Sequence, residues 1–255
     1  MIVFDKVGFS YGARTVLKDV SFSIQADERV AILGESGEGK TTVLKLIMGL
    51  LKPDSGRIWI DGVDVTDKSE LELREPRLKL SIVFQEGALF DSLSVKENVA
   101  FCLREYFRMS EKEIDQKVRE LLRKVGMEGA IDLMPEELSG GMQRRVAMVR
   151  SIAAYEPRMF LYDEPTSGLD PVNVHTICDL ILDLSKDGRG FLIVTHKMTD
   201  AFKVADRFIF FSSGVVVFDG DRDNLVSTSV PEVLAFMGDL NFAPRSSAVI
   251  ENQEA

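Results

Sequence analysis

One glycine-rich stretch constrains the fold more than any other part of the chain: Gly34-Glu35-Ser36-Gly37-Glu38-Gly39-Lys40-Thr41-Thr42. An apolar run over 29–33 precedes it, and apolar residues at helical spacing follow it over 43–48. A strand, a glycine-rich loop and a helix in this order predict a phosphate-binding loop rather than an ordinary turn. Its backbone N–H groups and the helix N-terminus can bind phosphate oxygens. We expect Lys40 to reach the β- and γ-phosphates of a nucleotide and the Thr41 hydroxyl to bind Mg²⁺.

The composition excludes several classes of protein. The 255 residues are 45% apolar and 28% charged, which is typical of a soluble globular chain with one domain and subdomains. The net charge of −10 argues against a nucleic-acid partner, because such proteins present basic surface to phosphates. The two cysteines, Cys102 and Cys178, form no metal-binding pattern, and we expect reduced thiols. We find neither a signal-peptide pattern nor an apolar stretch of about 20 residues, and therefore expect any membrane association to require a partner.

Acidic, amide and imidazole side chains follow three of the predicted strands. Asp163 and Glu164 lie at the carboxyl end of a nearly all-apolar strand over 158–165, which predicts a central strand covered on both faces. Asp163 fits the Mg²⁺ shell and Glu164 can deprotonate the attacking water, although two acids that cap a loop are the alternative. Gln85 ends another strand, where its side-chain oxygen can meet Mg²⁺ or that water. His196 ends a third, and we expect it to contact the γ-phosphate.

Two further features predict contacts with a nucleotide. The ring of Tyr11, in a turn before the phosphate-binding loop, can stack on adenine; packing at a strand end is the alternative. Residues 139–141 (Ser-Gly-Gly) begin an apolar-periodic helix whose N-terminus is open to an anion. A second anion-binding helix end in one chain requires an explanation. The other histidine, His175, is expected at the surface of a helix.

The periodicity also predicts the remaining elements. Residues 1–30 predict short strands and turns, and 86–156 predict helices, two of which start at Ser94 and Ser110. Residues 208–218 predict a hairpin.

Taken in order, these motifs resemble the nucleotide-binding subunit of ABC transporters across almost the whole chain. The matching segments are an A-loop aromatic at Tyr11, Walker A at 34–41, a Q-loop at Gln85, the signature at 138–143, Walker B ending at Asp163-Glu164, a D-loop at 167–170 and a switch histidine at His196. The resemblance implies an α/β fold with a P-loop NTPase (RecA-like) core, an inserted helical subdomain and an N-terminal antiparallel β subdomain. The implied division is a core of 1–85 and 157–220, a helical signature subdomain of 86–156 and a C-terminal extension of 221–255.

The same resemblance implies that the chain hydrolyses ATP with Mg²⁺. It implies catalytic roles for Glu164, His196 and Gln85, and Mg²⁺ contacts from Thr41, Gln85 and Asp163. It also implies a head-to-tail dimer with a second copy of the chain, in which residues 139–141 of one chain close on ATP held by the other, and this would explain the second helix end. The implied nucleotide-binding residues are Tyr11, Gly34, Glu35, Ser36, Gly37, Glu38, Gly39, Lys40, Thr41, Thr42, Ser139, Gly140 and Gly141.

A narrower resemblance concerns residues 83–101, which are similar to the Q-loop region of ATPases from MCE-linked, Mla-type lipid transporters. These systems move phospholipid between the inner and outer membranes of diderm bacteria. The resemblance implies that a membrane permease docks in a groove near Gln85–Leu93; packing of these apolar residues inside the helical subdomain is the alternative. It further implies a periplasmic MCE protein, a small cytoplasmic regulatory subunit and a peripheral location on the cytoplasmic face of the inner membrane.

Three residues depart from the pattern of the family. Glu38 replaces a small residue in Walker A, and we expect its carboxylate to point away from the phosphates. Lys197 follows the switch histidine where aspartate is common, and Cys102 stands where the lipid group often has proline. Amino-acid import, lipoprotein release and a cell-division ABC ATPase therefore stay open as alternatives. The acidic charge argues against a nucleic-acid-handling ATPase.

The last segment, 221–255, carries apolar residues that must be buried: Val233, Leu234, Phe236, Met237, Leu240 and Phe242, bracketed by Pro231 and Pro244. They could pack in the core of the chain or across a dimer. We expect that a chain ending after Leu225 loses assembly more than stability.

Overall fold

The computed structural model describes residues 1–85, 87–153, 157–186 and 188–239. The strands in these ranges are β1 (Ile2–Tyr11), β2 (Arg14–Ile24), β3 (Arg29–Leu33), β4 (Ser55–Ile60), β5 (Val63–Asp64), β6 (Leu80–Val83), β7 (Met159–Asp163), β8 (Gly190–Thr195), β9 (Arg207–Ser212) and β10 (Val215–Asp221). The α-helices are α1 (Lys40–Ile47), α2 (Glu70–Leu78), α3 (Val95–Tyr106), α4 (Glu111–Lys124), α5 (Gly140–Ala153), α6 (Pro171–Leu184), α7 (Met198–Val204), α8 (Arg222–Val226) and α9 (Pro231–Asp239).

A six-stranded sheet forms the core, in the order β10-β9-β3-β8-β7-β6. The strands run parallel except β10, which pairs antiparallel with β9 at one edge. β7 is buried at all five positions, because Leu161 packs with residues of α1 on one face while Phe160 and Tyr162 pack with α5 and α6 on the other. The α/β fold with a P-loop NTPase core is therefore confirmed.

The N-terminal part forms a second, antiparallel sheet in the order β2-β1-β4-β5, as predicted. The prediction of short strands over 1–30 was wrong, since β1 and β2 have 10 and 11 residues. Irregular pairing between Phe4 and Val7 and left-handed backbone at Lys6 and Asp19 shift the side chains between faces. Because such bulges interrupt the alternation of apolar residues, the sequence pattern divides a continuous strand into short pieces.

Helices α3, α4 and α5 share a hydrophobic cluster of their own. Ser94 and Ser110 cap α3 and α4, and each accepts a hydrogen bond from the backbone N–H three residues later, so the predicted helix starts are confirmed. Glu86 and residues 154–156, at the predicted limits of the helical subdomain, lie outside the described residues. In the described ranges, no helix is long and apolar enough to span a bilayer.

Helices α8 and α9 pack the first part of the C-terminal extension on the core of the same chain. Val233 and Met237 are at most 1% exposed and share a hydrophobic cluster with Phe210, against which the ring of Phe236 packs edge to face. We therefore correct the expectation that a chain ending after Leu225 loses assembly more than stability. Such a chain lacks these side chains, so the core that they cover becomes exposed and the fold loses stability. The predicted contributions of Leu240, Phe242 and Pro244 lie outside the described residues.

Candidate active site

The loop over 34–39 connects β3 to the N-terminus of α1, as its sequence predicts. Gly39 caps the helix with a φ of 92°, in the left-handed region that favours glycine. A Cβ atom at Gly39 would lie 2.8 Å from Leu17 and 2.9 Å from Val16, so a larger residue does not fit. The turn of the loop therefore depends on glycine, and it leaves the first N–H groups of α1 at the cleft described below.

The side chain of Lys40 is buried and folded back on its own loop. Its Nζ donates to the carbonyl oxygens of Gly34 and Glu35, at 2.8 and 2.7 Å. Burial lowers the pKa of Lys40, while the nearby carboxylates of Glu164 and Asp163 oppose this change. The ammonium group thus lies between the loop and two acids, where an anionic ligand would stabilise its charge.

Thr41 and Asp163 meet at the end of β7, since the Thr41 hydroxyl donates to Asp163 Oδ1 at 2.9 Å. Asp163 is 4% exposed, and burial raises the pKa of its carboxyl. A buried carboxylate beside a hydroxyl offers the hard oxygen ligands that Mg²⁺ prefers. The residues present therefore fit a magnesium ion.

Glu164 has a left-handed backbone, with a φ of 45°, and its side chain is held by three groups from the last residue of β8 and the residue that follows it. Oε1 accepts the backbone N–H of His196 at 3.0 Å and lies 2.8 Å from Nδ1 of the same residue. Oε2 accepts the hydroxyl of Thr195 at 3.0 Å. The structure therefore brings Glu164 and His196 together and adds Thr195, which the sequence analysis missed.

Lys40, Thr41 and Glu164 border a cleft of about 340 Å³, and Asp163 and His196 contact these lining residues from behind. Gln85 and Glu164 line it beside the phosphate-binding loop, and Tyr11, 48% exposed, stands at its rim with its ring edge to face against Phe9. Arg14 also lines the cleft and was missed, although it follows the turn at Tyr11 directly. The full lining is Tyr11, Arg14, Val16, Ser36, Gly37, Gly39, Lys40, Thr41, Thr42, Gln85 and Glu164.

Residues 139–141 do not line this cleft. Ser139 and Gly140 are exposed at the start of α5, and Ser139 Oγ accepts the backbone N–H of Met142 at 3.3 Å. Gly141 is buried against Asn173, and a Cβ there would lie 2.6 Å from the amide oxygen. The second anion-binding helix end is therefore separate from the nucleotide cleft of its own chain.

The remaining predicted residues occupy less central positions. Glu38 points to the β9–β10 hairpin, where its carboxylate accepts the backbone N–H of Gly214 at 3.3 Å. Lys197 donates from Nζ to the carbonyl oxygen of Thr166 at 3.0 Å. His175 is exposed and lies 3.5 Å from Asp179. His175 thus has no contact with the cleft.

The phosphate-binding loop, the acids at the end of β7 and the parallel sheet define a P-loop NTPase. A family model described as ABC transporter matches residues 17–167. A solved dimeric structure of the ATP-binding cassette MJ0796, in a post-hydrolysis state bound to ADP and Pi, aligns with a TM-score of 0.79. It is 33% identical, over 87% of this chain and 98% of that chain.

Curated relatives agree with the family but differ in their transport systems. The intermembrane phospholipid transport system ATP-binding protein MlaF of Haemophilus influenzae is 37% identical, over 90% of this chain and 87% of its own length. The glutamine transport ATP-binding protein GlnQ of Geobacillus stearothermophilus is 36% identical, over 91% of this chain and 95% of its own. The chain belongs to the ABC transporter family and is an ATP-binding, ATP-hydrolysing subunit.

Proposed function

We propose that this chain drives phospholipid transport between membranes by hydrolysing ATP in the cleft beside β7. The observation that carries the catalytic assignment is the convergence of Lys40, Asp163, Glu164 and His196 at one edge of the sheet. The support for a phospholipid substrate is the MlaF relative and the similarity of residues 83–101 to lipid-transporter ATPases.

The predicted residues in and beside the cleft have separate chemical tasks in this proposal. Lys40 and the N–H groups of 34–42 bind the phosphates, and the ring of Tyr11 stacks on adenine. Glu164 takes a proton from the attacking water, and His196, which contacts Glu164, binds the γ-phosphate. Thr41, Asp163 and Gln85 would hold Mg²⁺, which when bound neutralises charge on the β- and γ-phosphates.

A second copy of the chain completes the site. Residues 139–141 lie outside the cleft of their own chain, so they can contact nucleotide only when another cleft approaches them. The solved relative bound to ADP and Pi is dimeric, which supports a head-to-tail pair. Each nucleotide would then lie between the phosphate-binding loop of one chain and α5 of the other.

The membrane partner would dock between the core and the helical segment. The groove was expected near Gln85–Leu93, but the groove of about 730 Å³ in this region is lined by β6, α2, α3 and α5, including Leu71 and Tyr106, and by no described residue of 85–93. Beside it, Phe90 and Phe101 are 42% and 44% exposed, and their ring centroids are 4.9 Å apart. Exposed apolar side chains next to a groove suit a permease, and such docking would hold the chain peripherally at the cytoplasmic face of the membrane.

Replacing Glu164 by Gln tests the catalytic assignment. The substitution keeps the shape and removes the base, so steady-state ATP hydrolysis should fall by about 10²–10⁴-fold while ATP binding persists. His175→Gln is the matched control, because His175 is exposed and remote from the cleft. Hydrolysis by Glu164→Gln within threefold of the parent would rule out Glu164 as the base.

Purification of the chain with its membrane partners in detergent tests the substrate assignment. We expect to recover three partners with the chain: a permease, an MCE protein and a small cytoplasmic regulatory subunit. The GlnQ relative makes amino-acid import the second candidate, which a solute-binding protein and a polar substrate would support. Recovery of a lipoprotein-release or cell-division membrane protein would overturn the phospholipid proposal.

A further inference from the structure

The segment over 87–94, which follows Gln85, is held by a fully buried asparagine on α3. Asn98 Oδ1 accepts the backbone N–H of Phe90 at 2.8 Å. Its Nδ2 lies within hydrogen-bond distance of the carbonyl oxygens of Phe90, Leu93 and Ser94, at 3.1, 2.9 and 3.1 Å. One side chain thus contacts the middle and the end of the segment, and the donors and the acceptor of its amide are all used.

An arginine on α5 holds the start of the same segment. Arg150 Nη1 donates to the carbonyl oxygen of Ala88 at 2.8 Å, and Nη2 donates to that of Gly87 at 3.1 Å. Its guanidinium carbon lies 5.6 Å from the ring centroid of Phe90, and Nη1 is 3.5 Å from Asn98 Oδ1. Among the described residues, no carboxylate forms an ion pair with Arg150, so its hydrogen bonds go to backbone and amide oxygens.

These contacts connect three places that the proposed function uses. Arg150 belongs to α5, the helix that begins with residues 139–141. It also lines the groove assigned to the membrane partner, and it donates a hydrogen bond to the loop that starts at Gln85. We propose that Arg150 and Asn98 are positioning residues that fix Gln85 in the nucleotide cleft and link its position to α5. This inference rests on the proposed hydrolysis of ATP with Mg²⁺.

Arg150→Lys tests the link, because lysine keeps the charge but cannot donate to two carbonyl oxygens from a rigid fork. We expect kcat for ATP hydrolysis to fall about tenfold and the half-saturating Mg²⁺ concentration to rise at least about threefold, the range expected for losing one charge-assisted hydrogen bond. The affinity for ATP without Mg²⁺ should change less than about twofold. A loss of folded protein would lower the amount of active enzyme without changing the half-saturating Mg²⁺ concentration.

A double-mutant cycle shows whether the effect passes through Gln85. In a Gln85→Ala chain, adding Arg150→Lys should change neither parameter by more than about twofold. Arg222→Lys is the matched control, since Arg222 also donates to a backbone carbonyl and lies over an aromatic ring, that of Phe202, at 5.0 Å. It should leave both parameters unchanged.

Asn98→Asp is the second variant, because it keeps the shape and the acceptor of Asn98 and loses the donors to Phe90, Leu93 and Ser94. It should shift the half-saturating Mg²⁺ concentration in the same direction as Arg150→Lys. Additive effects of Arg150→Lys and Gln85→Ala would overturn the positioning role and leave the proposed function standing. An unchanged Mg²⁺ dependence in both Arg150→Lys and Asn98→Asp would do the same. A parent chain without ATPase activity would overturn the proposed function as well.

Discussion

Asp163 occupies a position that is favourable for Mg²⁺ and unfavourable for stability. Burial raises the pKa of its carboxyl, so its stabilising contribution is complete below the unfolded pKa and is lost as pH rises through the folded pKa. We predict that Asp163→Asn raises the melting temperature by about 2–4 °C per kcal/mol gained, measured at pH 8 without nucleotide or Mg²⁺. The amide still accepts from Thr41 and carries no buried charge.

The same variant should lose Mg²⁺-dependent ATP hydrolysis, which separates stability from function. Its gain in melting temperature should shrink as the pH falls toward the unfolded pKa of Asp, because the parent is then protonated in both states. A variant of a neighbouring uncharged residue, such as Thr42→Ala, cannot replace Asp163→Asn in this comparison, because it removes no charge. A lower melting temperature for Asp163→Asn at pH 8 would contradict the argument.

Thr195 should be needed to position Glu164. Its hydroxyl donates to Glu164 Oε2 and accepts the backbone N–H of Lys197 at 3.0 Å. We predict that Thr195→Val lowers kcat about 10–100-fold, the range for one hydrogen bond to a charged group, while the Kd for ATP changes little. Thr195→Ser, which keeps the hydroxyl, should restore kcat. Equal losses in both variants would point to packing of the methyl group instead.

The contrast between Thr195 and Glu164 shows what the sequence could predict about the site. The motif residues were predicted because each follows a strand or begins a helix with a recognisable pattern. Thr195 reaches Glu164 only because β7 and β8 are parallel neighbours with Asp163 opposite Val194. No local pattern specifies that pairing, and the same holds for Arg14, which reaches the cleft through the register of β1 and β2.

At the level of elements, helix starts were easier to predict than strand lengths. Ser94 and Ser110 carry local capping signals, and the helices begin after them. The N-terminal strands contain bulges and left-handed residues such as Lys6, which break the alternation that defines a strand in sequence. The β7 and β8 strands were predicted correctly because burial on both faces leaves them almost entirely apolar.

Removal of α9 should destabilise the fold. Val233 and Met237 are buried in the core cluster of the same chain, and each contributes roughly 1.5–3 kcal/mol when buried. A chain ending after Leu225 should therefore melt about 6–24 °C lower than the parent, at about 2–4 °C per kcal/mol. A chain ending after Asp239 keeps α9 and is the matched control. If the parent and the chain ending after Leu225 have equal melting temperatures, α9 acts in assembly rather than in the stability of the fold.

In the part of the chain that the structure describes, the nucleotide cleft and the exposed start of α5 do not meet within a single chain. Ser139 is exposed at the start of α5, whereas Lys40 lies in the cleft. The sequence indicated both features as anion-binding, but only the fold shows that they are separate. In the proposed head-to-tail pair, the cleft of each chain would meet the helix end of the other, and two nucleotide sites would form at one interface.

Complementation between two inactive variants tests this arrangement. Lys40→Ala should lose nucleotide binding, and Ser139→Arg should bind ATP as a monomer but not hydrolyse it. In a mixed pair, the Ser139→Arg chain supplies an intact Lys40 and the Lys40→Ala chain supplies an intact Ser139, so one complete site forms. An equal mixture should therefore recover about a quarter of the parent ATPase activity if pairing is random and the sites act independently.

Ser110→Arg, which places the same side chain at the N-cap of α4, is the control for a charged residue at a helix start. A mixture no more active than its separate components, or loss of ATP binding by Ser139→Arg alone, would show that Ser139 acts within its own chain.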